Sequence, residues 1–203
     1  MKKLNISFLV ILSLFVFSCE RELETEGVSM VTYFPTFELA DGETVVITTG
    51  EDFTPDAVVT EGESALTPEI TNGVDNTTPG VYEVVYSAVN SDGYVGSVSQ
   101  EVFVYDPAIV PTDVTGTIVD SNNSARTGEI TLVPGTTNIF HCTDMGFAGA
   151  FPLYFMMDGD NMVVIPQTLA FSATEVIASY DPVEKTFSVL IQPYGFGYDF
   201  EYE

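Results

Sequence analysis

The chain has no tryptophan, a single histidine, two cysteines and only 5 Lys+Arg among 203 residues. Each scarcity excludes something. Against those few bases stand 30 Asp+Glu, and the formal net charge of −25 repels phosphate backbones and anionic headgroups. Nucleic acid is therefore not an expected partner. The lone histidine, His141, sits beside Cys142 in a predicted strand, where neighbours point to opposite faces, and no Cys-x-x-Cys or His-x-His spacing occurs. That leaves no zinc ligand set and no Cys-His nucleophile pair. No Gly-x-Ser-x-Gly elbow, phosphate-cradling glycine loop or zinc-protease helix is present either. The expectation is a chain with no catalytic residue, no metal and no cofactor.

Thirty carboxylates could hold a glycosidase pair, but two small β domains leave little room for the cleft such a pair flanks. Asp158-Gly159-Asp160-Asn161 offers oxygen ligands, yet Val163, Val164 and Ile165 supply none of the later donors of a calcium loop. It reads as a β-turn. Charged residues make up only 17% and hydrophobic residues 45%, so the acidity does not signal disorder. The length allows one large or two small domains with real cores.

Long hydrophobic runs are missing except at the start. Met1-Lys2-Lys3 precedes an apolar stretch from Leu4 to Phe17, interrupted only by Asn5, Ser7 and Ser13. A bilayer span needs about 20 apolar residues, and this one has the length of a signal-peptide core instead. Val16-Phe17-Ser18-Cys19 closes it. These residues resemble a bacterial lipobox, which implies a signal peptide over 1–18 and a Cys19 carrying a diacylglyceryl thioether and an acylated amine, palmitate among the acyl groups. Two or more chains anchor stably where one does not, at about 0.8 kcal/mol per buried methylene. An ordinary cleaved signal with an incidental cysteine is the alternative.

Residues 19–27 form a lipidated acidic tether, Glu20-Arg21-Glu22-Leu23-Glu24-Thr25-Glu26 being too charged to bury itself. The run also resembles the acidic stretch that marks Bacteroidetes lipoproteins for display. The implied address is the outer membrane, lipid-anchored, on the cell surface, with its periplasmic face as the alternative. With Cys19 acylated, Cys142 has no disulfide partner and is expected to be a buried small hydrophobe.

The rest of the chain shows no capped 3.6-residue period. Short runs rich in Val, Ile, Thr, Tyr and Phe recur between Gly, Pro, Asn and Asp clusters, the pattern of an all-β protein. The expected fold is two tandem β-sandwich or Ig-like domains following a lipoprotein signal peptide. Strands are predicted at Met30–Phe34, Thr44–Thr49, Ala57–Thr60, Glu69–Thr71, Gly80–Asn90 and Tyr94–Tyr105. Ser91-Asp92-Gly93 should join the last two as a hairpin. Within Val81–Val89, the face carrying Tyr82, Val84, Tyr86 and Ala88 is the core candidate, and the valines of the opposite face call for partial cover. The stretch from Asp41-Gly42-Glu43 through Thr78-Pro79-Gly80-Val81-Tyr82-Glu83-Val84-Val85-Tyr86 and Asp92-Gly93 to Val102-Phe103-Val104 resembles the bacterial Ig-like domain also found in insecticidal crystal proteins. That resemblance covers 28–106 and implies an adhesive or spacer module.

Asp106-Pro107 through Pro111-Thr112-Asp113 marks a semi-rigid linker, 107–113, because two prolines remove amide donors and fix φ. The C-terminal all-β domain, 114–203, should hold strands at Val114–Val119, Glu129–Val133, Asn138–Cys142, Leu153–Met157, Met162–Ile165, Glu175–Tyr180, Thr186–Gln192 and Tyr198–Tyr202. Its opening Thr115-Gly116-Thr117, its Asp144-Met145-Gly146-Phe147 with Tyr154-Phe155, and its closing aromatic strand resemble the C-terminal domain of a Bacteroidetes lipoprotein family of unknown function. Members of that family accompany outer-membrane glycan-uptake systems, which implies carbohydrate handling by association.

The aromatic residues are all Tyr and Phe. Phe151, Tyr154 and Phe155 follow the Gly146–Gly149 loop, and the tail from Tyr194 to Tyr202 alternates rings with small or acidic residues. Sugar C–H faces stack on such rings, which makes Tyr154, Phe155, Tyr194 and Tyr198 the candidate ligand-binding residues. Burial of the same rings on one sandwich face is the competing expectation. The sequence thus points to a lipid-anchored, non-enzymatic cell-envelope protein, an Ig-like stalk with a recognition module that binds polysaccharide for an outer-membrane glycan-uptake system. Its partners would be the membrane, through Cys19, together with polysaccharide or outer-membrane transporter proteins. The alternative is a structural or assembly lipoprotein that binds another envelope protein.

Overall fold

The computed structural model describes residues 31–147 and 149–203. The signal peptide, Cys19, the acidic tether and Met30 lie outside the described residues. Residues Phe34–Glu203 form one compact unit. It is all-β, fifteen strands with one 3-10 turn at Ala170–Ser172.

Seven strands build the Ig-like block: β1 (Thr36–Leu39), β2 (Thr44–Thr48), β3 (Ala57–Glu61), β4 (Ser64–Leu66), β5 (Glu69–Asn72), β6 (Gly80–Val89) and β7 (Val95–Tyr105). One sheet runs β1-β3-β4 and the other β2-β7-β6-β5, with β2 and β7 parallel. Between them lie Ile47, Val84, Tyr86, Val102 and Val104. The predicted core face of β6 is the one buried: Val84 and Tyr86 are fully covered and Ala88 nearly so. Tyr86 donates from its hydroxyl to Gln100 Oε1 at 2.8 Å, and Gln100 Nε2 donates to the Gly42 carbonyl at 2.6 Å, so the buried polar groups are paired. The Asp-Gly hairpin forms where expected, with Gly93 at φ 87° and Val89 opposite Val95.

Two details differ from the sequence reading. The first strand was expected at Met30–Phe34 but begins at Thr36, because Pro35 has no amide to donate and ends any ladder running into it. Val31 and Phe34 are 68% and 62% exposed. Short β4 was also not anticipated.

Eight strands build the C-terminal block: β8 (Gly116–Asp120), β9 (Asn123–Leu132), β10 (Ile139–Cys142), β11 (Leu153–Asp158), β12 (Asn161–Val164), β13 (Glu175–Asp181), β14 (Thr186–Gln192) and β15 (Phe196–Tyr202). They form one antiparallel sheet in the order β12-β11-β10-β9-β8-β15-β14-β13. The sheet curls until its edges, β12 and β13, approach within 8 Å between Cα atoms, so a single sheet encloses the core as an open barrel. That core holds Phe140, Phe155, Phe187 and Phe200, with Phe151 capping it, all fully or almost fully buried. β9 starts six residues earlier than predicted, in a polar arm whose register pairs Val119 with Thr127.

The proline segment is stitched down. Thr112 donates its amide to the Gly159 carbonyl and Gly159 donates to the Val110 carbonyl, at 2.9 and 3.0 Å. Asn138 Nδ2 donates to the Asp106 carbonyl at 2.8 Å. A third apolar cluster joins the blocks: Phe103 packs with Val133, Ile139, Met156 and Ile165, flanked by Val46 and Val81. This is the cover that the outward valines of β6 required. A backbone bond from the Val81 amide to the Pro166 carbonyl, 2.8 Å, adds to it.

Candidate functional site

The four ring candidates occupy different surroundings. Phe155 is fully buried and stacks on Phe140 at 5.8 Å with 18° between planes. It belongs to the core and offers no face to a ligand, which corrects the expectation for that residue. Its neighbour Tyr154 points to the opposite side of β11, as period-2 alternation demands, and stays partly exposed. Tyr198 is partly buried with the Arg126 guanidinium 4.7 Å above its ring, the same Arg126 that is paired with Asp120. The guanidinium thus covers one face of that ring. Tyr194 is 44% exposed.

The tail row therefore splits. Tyr198, Phe200 and Tyr202 pack on the barrel core, whereas Tyr194 and Phe196 lie at the β14–β15 turn beyond its end. There they join rings the sequence scatters. Phe147 lies 5.1 Å from Phe171 and 5.7 Å from both Tyr194 and Phe196. Tyr194 and Phe196 are 5.8 Å apart with only 12° between their planes, and Phe171 and Phe196 are each 49% exposed.

Three segments hold this patch. The 146–151 loop is tied by Asp144, whose Oδ1 accepts the amides of Gly146 and Phe151 at 3.1 and 3.0 Å. Gly146 is required by close approach, since a Cβ there would stand 2.9 Å from Cβ of the buried Phe151 as well as 2.6 Å from Ile191 Cδ1. In the 3-10 turn Phe171 and Ser172 adopt φ of 53° and 59°, left-handed values that side chains avoid unless their surroundings hold them. Tyr194 supplies one such hold by donating its hydroxyl to the Phe171 carbonyl at 2.7 Å. Phe147 and Phe171 were not singled out as ligand residues from the sequence. Only their aromatic character was visible, for contact between distant loops leaves no local period.

The second feature lies where the two blocks meet. On the outward face of the Ig-like sheet, Val46, Phe103 and Val81 form one cross-strand row and Thr44, Glu101 and Glu83 the next. On the outer face of the barrel, Thr131, His141 and Tyr154 likewise form a row. The apolar rows make the joint, and the polar rows diverge around a groove. One hollow of about 400 Å³ is lined by Thr44, Glu101, Phe103, Thr131, His141 and Tyr154. A smaller one, about 150 Å³, has Tyr82, Glu83 and Thr168 in its wall and shares Glu101 and Tyr154. His141 and Tyr154 are 4.6 Å apart. Burial lowers the His141 pKa, and burial followed by the Glu101 charge raises that of Tyr154.

Cys142 faces inward, fully buried, its thiol donating to the Asp144 carbonyl at 3.3 Å, and burial pushes its pKa up to about 12. Among the described residues no group of three His, Cys, Asp or Glu side chains is gathered to hold a metal, and no helix is long and apolar enough to cross a membrane.

Known proteins relate to this chain as follows. No curated protein matches it. The crystal structure of a lipoprotein from Bacteroides thetaiotaomicron is similar, at 22% identity and a TM-score of 0.42, over 82% of this chain and 98% of that one. Residues 37–104, which span β1 to β7 almost end to end, match the family described as bacterial surface protein, Ig-like domain.

Proposed function

We propose that the protein is a lipid-anchored, non-enzymatic component of the cell envelope, displayed at the outer membrane, in which the Ig-like block is a stalk and the barrel recognises polysaccharide for a glycan-uptake system. The carrying observation is the ring patch at the barrel end, where Tyr194 and Phe196 lie near-parallel and half-exposed beside Phe171 and Phe147. Near-parallel rings suit the flat C–H faces of successive sugar units, which stack without any chemical step. The lipobox-like Val16-Phe17-Ser18-Cys19 and the Ig-like match of residues 37–104 support the envelope address.

Affinity electrophoresis against a polysaccharide panel tests the reading. Retardation by at least one glycan, lost when Phe196 is changed to Ala at unchanged melting temperature, supports it. Equal mobility in every gel refutes it. A second reading, binding of another envelope protein, draws on the end of the β6–β7 hairpin, where Val89, Tyr94 and Val95 are 55%, 54% and 67% exposed and Phe34 lies 5.6 Å from Tyr94. Co-purification of a protein partner with no glycan retarding the chain would favour it.

A further inference from the structure

The ring patch at the barrel end is an uncharged island in a strongly acidic chain. Its rings come from three segments, 146–151, 168–174 and 192–197, and none of them carries a charged residue, although 17% of the chain is charged. An exposed apolar patch of this kind marks a contact site. Of the acids that adjoin these segments, Asp144 is buried with its Oδ1 held by two amides, and Glu175 stands on β13 opposite Gln192. The two basic side chains of the described residues are also remote: Arg126 is paired with Asp120, and Lys185 lies in the β13–β14 turn, at the other end of β14 from Tyr194. Phe171 and Phe196 stay 49% exposed and Tyr194 44%, although all three pack on Phe147. Gly149, Ala150, Gly195 and Gly197 flank them, all exposed, so no long side chain rises from those positions to wall the rings in. The Tyr194 hydroxyl is committed to the Phe171 carbonyl. What remains for a ligand is a set of ring faces on an open platform.

We propose, resting on that barrel-end reading, that the platform binds internal stretches of a neutral β-1,4-linked polymer of all-equatorial sugars, of the glucan or xylan type, and rejects uronates. A closed pocket buries most of a small ligand, whereas an open platform lets a polymer run on past both sides. Equatorial hydroxyls leave C–H groups on both faces of a sugar ring. Successive β-1,4-linked units turn over, so such a chain shows a C–H face to the rings at every unit, and stacking on the near-parallel Tyr194 and Phe196 continues along it. In a β-1,4-linked mannose chain every second unit turns its axial 2-hydroxyl toward the rings instead. Uronate chains meet a net charge of −25, with no base at the patch to receive their carboxylates.

Titration calorimetry on the mature lipidated protein in a sugar-free non-ionic detergent tests this with β-1,4-linked hexamers of glucose, mannose and glucuronic acid, and with cellobiose. The glucose hexamer should bind about three- to tenfold tighter than the mannose hexamer, the effect of one stacked ring contact, and tighter than cellobiose by a similar factor. The glucuronate hexamer should not bind. Phe196→Ala should weaken binding of the glucose hexamer by about three- to tenfold at unchanged melting temperature. Val183→Ala, an 84% exposed residue in the turn at the other end of β14, should leave it intact. Equal affinity for the glucose and mannose hexamers overturns the proposal, as does binding of glucuronate, cellobiose binding as tightly as the hexamer, or no binding of the glucose hexamer. Equal loss in both variants also overturns it. A mannan or a pectin that retards the chain in gels, in a Phe196-dependent way, would sink this substrate class while leaving the barrel-end reading standing; only equal mobility in every gel sinks both.

Discussion

Phe103 of the Ig-like sheet meets Tyr154 of the barrel edge to face, ring centres 5.3 Å apart and planes at 70°. Phe103 is 3% exposed and stands at the centre of the apolar cluster that joins the blocks. Truncating a buried Phe costs about 3 kcal/mol or more. Phe103→Ala should lower stability by that amount and split urea unfolding into two transitions, one per block, seen as probe-dependent midpoints by tyrosine fluorescence and far-ultraviolet dichroism. A single coincident transition would show that the cohesion lies elsewhere.

Asp144 ties down the loop that carries Phe147, yet its Oδ2 is buried without a partner. Removing the carboxylate leaves two buried amides unsatisfied, which costs about 1–3 kcal/mol. Asp144→Ala should be destabilised to that extent, whereas Asp144→Asn keeps an acceptor oxygen for both amides and should lose less. Chemical denaturation of the two variants checks the order.

Arg126 holds Asp120, which is 3% exposed, and covers Tyr198. Arg126→Ala should cost about 3 kcal/mol, most of it from a carboxylate left buried without its partner. Adding Asp120→Asn should recover a large share. If the double variant is no better than the single one, the loss comes from packing on Tyr198 instead.

The Cys142 thiol, with its pKa at about 12 and its sulfur buried, should resist maleimide in the native Cys19→Ala protein at pH 8 and react at once in denaturant. Mass spectrometry before and after unfolding decides the point.

His141 gives the stability a pH dependence of known sign. Its native pKa lies below the ordinary 6.5. Between the two values the unfolded chain binds more protons, so stability rises with pH through that window and this contribution is complete above it. Midpoints in urea should fall more steeply in the wild type than in His141→Gln as pH drops from about 6.5. Parallel curves would contradict the burial.

Much of the fold was legible from residues that alternate. Tyr82, Val84, Tyr86 and Ala88 announced their face because a strand repeats every two residues, and Asp92-Gly93 marked a turn because few residues tolerate positive φ. The ring patch was half visible. Tyr194 stood out within a repeating tail, but Phe147 and Phe171 come from separate loops and meet only through tertiary packing. The groove left no local trace, for Glu101 and Tyr154 belong to different blocks and their approach depends on how the apolar rows beside them dock. Phe155 misled because it adjoins Tyr154 in sequence while pointing the other way.

β15 is the last strand of the chain, and it lies in the interior of the barrel sheet, between β14 and β8. Tyr202 pairs with Ile118, and the Glu203 amide reaches the Thr117 carbonyl. The first strand of the barrel, β8, therefore pairs on both sides only when a strand far later in the sequence, β15, is in place. Such long-range closure slows folding, because the loop entropy is lost before the contact forms.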